Sequence, residues 1–102
     1  MKIAIAATSP GEGAHVDERG ARAPCYHLVD TETGLSEILP NPVAESERKA
    51  GPQAAAFLTS IGIDQVVAGD FGARFRAELE SAGVVCTKKA GPVSQILLDL
   101  KS

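Results

Sequence analysis

Cys25 and His27 stand two residues apart in the stretch Arg22 to Asp30, R-A-P-C-Y-H-L-V-D. On a strand, residues two apart point to the same face. A thiolate and a neutral imidazole placed that way suit zinc, copper or an iron-sulfur species. The same pair also reads as a small buried hydrophobe beside a tolerated histidine, because free cysteine is among the most buried residue types. His15, in the preceding loop, is a further candidate metal ligand or else a solvated side chain.

Cations form a second constellation. Arg19 and Arg22 lie in the loop before Cys25, and Lys88 and Lys89 close the last apolar run. The Gly69-Asp70-Phe71-Gly72 turn opens a helix whose N-terminus adds backbone donors, so Gly69 and Gly72 join the candidate anion-binding residues. The chain as a whole is acidic, with 10 Lys and Arg against 13 Asp and Glu, so an anion site has to be local and nucleic acid is not an expected partner. Gly11-Glu12-Gly13 lacks the spacing of a phosphate-binding loop and leads into no immediate helix.

Catalytic signals are weak. Two-metal phosphoryl chemistry needs clustered carboxylates about 4 Å apart, and Ile3-Ala4-Ile5-Ala6-Ala7 offers none. Asp70 is read as the cap of the helix that follows it. No serine, histidine and acid set suggests a triad, and the chain is expected not to be an enzyme.

The elements that must position these residues follow from the apolar runs. Lys2 to Ala7 reads as a central strand, and Thr8 to Ala23 as a long loop. Cys25 to Thr31 and Leu35 to Leu39 read as a hairpin turning at Glu32-Thr33-Gly34. Pro40 to Gly51 reads as a mobile connector into a helix from about Gly51 to Ile61, stopped by Gly62. A strand at Gln65 to Ala68, a helix at Ala73 to Ala82, a strand at Val84 to Thr87 and a helix from Pro92 to Leu100 complete the chain. This order predicts an α/β fold with one five-stranded mixed sheet, strand order 3-2-1-4-5, strand 2 antiparallel to the rest, and helices on both faces. Ligands of open sheets bind at the switch between strands 1 and 4, where the long loop and the glycine turn meet. Cys86, separated from strand 2 by two strands, lies on the order of 14 Å from Cys25. It reads as core, and only a multinuclear cluster spanning the crevice would meet both thiols.

At 102 residues, the chain has room for one domain spanning 1–102. The apolar opening run Met1 to Ala7 is too short for a signal peptide's core with its flanks or for a bilayer span, so a cytoplasmic protein with no membrane partner is expected. Two cysteines make no disulfide framework.

The sequence resembles the dinitrogenase iron-molybdenum cofactor family, which includes NifX, the C-terminal segment of NifB, NafY and the orange protein of sulfate reducers. The resemblance runs over the whole chain. Its carriers are M-K-I-A-I-A, R-A-P-x-Y-x-L-V-D, Thr33-Gly34, Asn41-Pro42, G-P-Q-A-A at Gly51 to Ala55, and I-D-Q-V-V-A-G-D-F-G at Ile63 to Gly72. It implies a ribonuclease H-like fold without nuclease chemistry. It also implies binding, carriage or assembly of an anionic metal-sulfur cluster or its precursor, containing molybdenum with iron or copper, as in nitrogenase cofactor biosynthesis. A partner protein in cluster assembly is possible, and a monomer is expected. Family members commonly carry a His/Arg-Phe-Gly-Arg run where this chain has Arg19-Gly20-Ala21-Arg22, so Arg22 keeps its counterpart and the aromatic is missing at Gly20. Cys25 and His27 stand where the family more often has an aromatic and an aliphatic residue, so they inherit no role. The alternative is a regulatory or protein-interaction module that keeps the fold without the cofactor, using the open edge of strand 3 or 5.

Overall fold

The computed structural model describes residues 1–11, 13–46 and 50–101. Glu12 of the glycine loop and Glu47, Arg48 and Lys49 of the connector lie outside the described residues. Five strands, β1 (Lys2–Ala7), β2 (Cys25–Asp30), β3 (Ser36–Pro40), β4 (Gln65–Ala68) and β5 (Val85–Lys88), form one open sheet in the order β3-β2-β1-β4-β5. β2 runs antiparallel to both its neighbours, whereas β1, β4 and β5 are parallel. Three helices, α1 (Ala50–Ser60), α2 (Ala73–Ser81) and α3 (Val93–Lys101), flank it. The expected order and the lone reversed strand are both present.

β1 is central because its residues suit two covered faces. Ala4 and Ala6 join Tyr26, Ala54, Leu58, Val66, Phe75 and Leu79 in the core under α1 and α2. Ile3, Ile5 and Ala7 face the other way and pack with Cys25, Val67, Val93 and Ile96 under α3. The alternation of side chains along a strand thus divides the interior into two cores. The small alanines on one side let α1 approach closely, and the isoleucines on the other fill the space beneath a single helix.

Element boundaries shift by about one residue from those read in the sequence, and the bonding explains why. Val84 is not the start of β5 but closes α2: it is buried, and its N–H donates to the Leu79 carbonyl at 2.9 Å. Pro92 precedes α3, and the N–H of Val93 donates out of the helix to Ala14 at 3.0 Å. In the hairpin, Gly34 takes φ +75° and its N–H donates to Asp30 at 2.8 Å, a conformation glycine adopts without strain. β3 then begins at Ser36.

Two connectors are more ordered than their composition suggests. Within the long loop, the Val16–Gly20 segment lies between the end of β1 and the chain leaving β4. Asp17 N–H donates to Ala6 at 2.8 Å, Gly69 N–H to Asp17 at 2.9 Å and Gly20 N–H to Asp70 at 3.2 Å. Asn41, at the head of the connector expected to be mobile, is buried and holds the chain on either side of it. Its amide donates to the carbonyls of Ala21 and Ala23 at 2.8 and 2.9 Å, and its Oδ1 accepts from Val43 N–H at 3.0 Å. The first part of that connector is therefore pinned.

Candidate functional site

At the C-terminal ends of β1 and β4, the pinned loop and the first turns of α1 and α2 enclose an open cavity of about 540 Å³. Arg19, Gly20, Arg22, Gly51, Gly72 and Arg74 are among its lining residues. Two helix starts and three arginines therefore meet at the topological switch of the sheet.

Each guanidinium has a different setting. Arg19 is forked onto Asp17, its Nε 3.1 Å from Oδ1 and its Nη2 3.0 Å from Oδ2, and its own N–H donates to Oδ1 at 2.7 Å. Burial pushes the Asp17 carboxyl up, but the Arg19 hydrogen bonds and charge outweigh it and hold the group below the usual aspartate value. Arg22 donates through Nη1 to the carbonyl of Ser46, tying the loop to the connector. Arg74, which the sequence reading did not single out, is exposed at the start of α2, and among the described residues it makes no ion pair.

α2 begins without a side-chain cap. Gly72 occupies the N-cap position and makes no side-chain hydrogen bond to the helix. Asp70, expected to be the cap, instead accepts from Phe71 N–H at 2.9 Å and pairs with Lys88 Nζ at 3.3 Å. The Phe71 hydrogen bond first, and then Lys88, hold its carboxyl below the usual value. Lys88 thus stands beside the cavity, attached to Asp70. Gly69 serves close packing: a Cβ there would lie 2.8 Å from the Glu18 Cα. At Gly20 a Cβ would lie 2.8 Å from Cε2 of Phe75 and 3.1 Å from the Asp70 carbonyl oxygen, so the ring of Phe75 occupies the space beside this glycine.

The candidate metal ligands lie apart from this cavity. Cys25 and His27 share a face, as their spacing requires, but it is the α3 face, away from the arginines. Cys25 is 4% exposed, its Sγ is 3.9 Å from the Ala7 carbonyl, and burial, followed by the Asp17 charge, pushes the thiol up. His27 Nε2 is buried with no hydrogen-bond partner among the described residues. His15 is exposed, and its backbone pairs with Thr8 and bridges to Pro92. Cys86 packs half-buried on the opposite, α1/α2 side. The two thiols therefore lie on opposite faces of the sheet. Among the described residues no group of three or more His, Cys, Asp or Glu could hold a metal ion.

The donor set is accordingly cationic and amide-based. It fits an anion whose metals already carry their own sulfide ligands, and it does not fit a bare cation that needs thiolates or imidazoles. Arg74 had a signal in the sequence: it falls in the first turn of a helix with no acid there, where the macrodipole disfavours a cation.

The profile of the dinitrogenase iron-molybdenum cofactor family matches residues 1–102. The chain belongs to this family. Among solved structures, a NifB-like Thermotoga protein of the DUF35 family is 29% identical with a TM-score of 0.79, over 96% of this chain and 84% of that one. The apo orange protein of Desulfovibrio gigas is 28% identical with a TM-score of 0.83, over 98% of this chain and 88% of that one. No curated protein sequence matches. Membership in a cofactor family and an arginine-lined cavity at the sheet's switch point agree on cofactor or cluster-related binding. Among the described residues no helix is long and apolar enough to cross a membrane.

Proposed function

We propose that residues 1–102 act as one cytoplasmic, monomeric domain that binds and carries an anionic metal-sulfur cluster or its precursor, with molybdenum and iron or copper in it, and performs no bond chemistry on it. The observation that carries this reading is the convergence of Arg19, Arg22 and Arg74 with the uncapped start of α2 on one cavity. Charge-assisted hydrogen bonds from guanidinium and amide groups contribute about 1.5–3 kcal/mol each, enough together to retain a multiply charged anion without a protein-metal bond. Gly69 and Gly72 shape the approach of the backbone, and Lys88 adds field from the rim. Cys25, His27 and His15 have at most an auxiliary part.

The test is to incubate apo-protein with tetrathiomolybdate and copper(I), or with an iron-sulfur precursor, and desalt it. Visible charge-transfer absorption that stays with the protein is the expected result. Colourless, metal-free protein under all these conditions would overturn the reading.

The edge strand favours a second use of the same fold. Leu35 and Ile38, at the open β3 edge, are 72% and 43% exposed, which suits pairing with a protein in cluster assembly. A defined complex by light scattering after pull-down supports it, and a clean monomer that captures nothing removes it.

A further inference from the structure

The three arginines of the cavity are not equivalent. Arg19 has both arms of its fork on Asp17, at 3.1 and 3.0 Å. Arg22 donates to the Ser46 carbonyl. Lys88, beside the cavity, is 3.3 Å from Asp70. Two carboxylates also line the wall, Glu18 and Asp70, and the second is the one held by Lys88. Arg74 alone among these cations makes no ion pair or hydrogen bond to the described residues, and it stands where the helix dipole opposes a positive charge. Residues that break a local rule are found at functional sites, where the loss is offset elsewhere. An anion seated at the start of α2 offsets it, because it interacts favourably with both the guanidinium and the first-turn amides.

We infer that Arg74 is the side chain that grips the anion and discriminates for it, while Arg19 and Arg22 mainly hold the wall in shape. This rests on the cluster-carrying reading and deepens it by dividing the labour among the cations. A planar fork reaches two acceptor atoms of the ligand at once, so the site favours an anion that presents paired sulfide or oxo groups. It also follows that binding and stability separate at Arg74. Removing an exposed cation from the first turn of a helix leaves the fold as stable or slightly more so.

The experiment measures tetrathiomolybdate binding by equilibrium dialysis, alongside thermal melts, for wild type, Arg74→Ala, Arg74→Lys, Arg76→Ala and Arg19→Ala. Arg76, on the same helix but outside the cavity and paired with Glu80 at 3.7 Å, controls for loss of one positive charge. Arg74→Ala should weaken binding roughly tenfold or more with the melting midpoint unchanged or raised, and Arg74→Lys should recover part of the loss. Arg76→Ala should stay within about twofold of wild type. Arg19→Ala should lower the midpoint together with the affinity. Equal affinities for Arg74→Ala and Arg76→Ala, with wild type binding, would overturn the role of Arg74 and leave cluster carriage standing. Wild type that fails to bind would overturn both.

Discussion

The hydroxyl of Tyr26 donates a 2.6 Å hydrogen bond to the carbonyl of Gly20, joining β2 to the cavity wall between Arg19 and Arg22. Asn41 completes the link, its amide 3.3 Å from the same hydroxyl and within 2.9 Å of the carbonyls of Ala21 and Ala23. One buried phenol and one buried carboxamide thus fix the backbone that carries both loop arginines. Burial, followed by the charge of Asp17, pushes the Tyr26 phenol up, so it remains a donor throughout the ordinary pH range.

Removing that donor should loosen the wall. Tyr26→Phe keeps the ring packing and leaves the Gly20 carbonyl without its buried partner, a cost of about 1–3 kcal/mol. Asn41→Leu strands two carbonyls and should cost more. Denaturant melts give the stability, and anion titration on the folded protein should show weaker binding from both variants. Wild-type affinity in Tyr26→Phe would mean that the wall holds its shape without the phenol.

The close approaches at Gly20 and Gly69 differ in what must move. A methyl at Gly20 meets the ring of Phe75 at 2.8 Å and, less closely, the Asp70 carbonyl at 3.1 Å, whereas one at Gly69 meets the Glu18 Cα at 2.8 Å. A packed ring gives way more readily than backbone. Gly20→Ala should therefore destabilise by roughly 1–3 kcal/mol and Gly69→Ala by more. Phe75→Leu should offset part of the Gly20→Ala loss, because it withdraws the ring atom, but not the Gly69→Ala loss. Equal rescue of both in a double-mutant comparison would mean that the two contacts share one strain.

Acid should release the Asp17–Arg19 fork. The Asp17 carboxyl titrates below its ordinary value of about 3.9 in the folded chain, so its contribution is complete above that value and is lost as pH falls through the folded one. Arg19 is 63% exposed at its side chain, which keeps the contribution near 1 kcal/mol. Melting midpoints between pH 6 and 2 should fall less steeply for Asp17→Asn than for wild type. Parallel curves would show that the fork adds nothing to acid stability.

The order of elements was legible because β1, β4 and the glycine stops at Gly62 and Gly83 are local signals, and right-handed crossovers leave few ways to arrange them. Arg19 and Arg22 were legible for the same reason, since the long loop leaves the strand that must be central. Asn41 was not. It looks like a turn residue before proline, and its value lies in partners about twenty positions back along the chain. The face of Cys25 was hidden in another way: alternation says that Cys25 and His27 point together, but which helix covers them depends on the side from which α1 and α2 pack. Arg74 shows in the sequence only as a cation in a helix's first turn, a weak signal until the fold sets the start of α2 beside the arginine loop.

Cys25 and His27 provide the last prediction, and their place in the fold sets its direction. Cys25 lies among Ile5, Ala7, Val16 and Val93 under α3, on the opposite face of the sheet from the arginine cavity, and burial keeps its thiol protonated at neutral pH. A protonated, inaccessible thiol is a poor nucleophile and a poor metal ligand. Native protein should therefore react slowly with iodoacetamide at Cys25 and faster at the half-buried Cys86, with both reacting in denaturant. Cys25→Ser puts a hydroxyl into that apolar site and should cost about 1–3 kcal/mol, while cluster retention in the folded fraction stays intact. His27→Leu removes an imidazole whose Nε2 has no partner among the described residues, so it should leave stability unchanged or raise it. Metal content and melts on the same samples decide the matter. Loss of bound metal from Cys25→Ser or His27→Leu protein that melts like wild type would move the site from the arginine cavity to the α3 face.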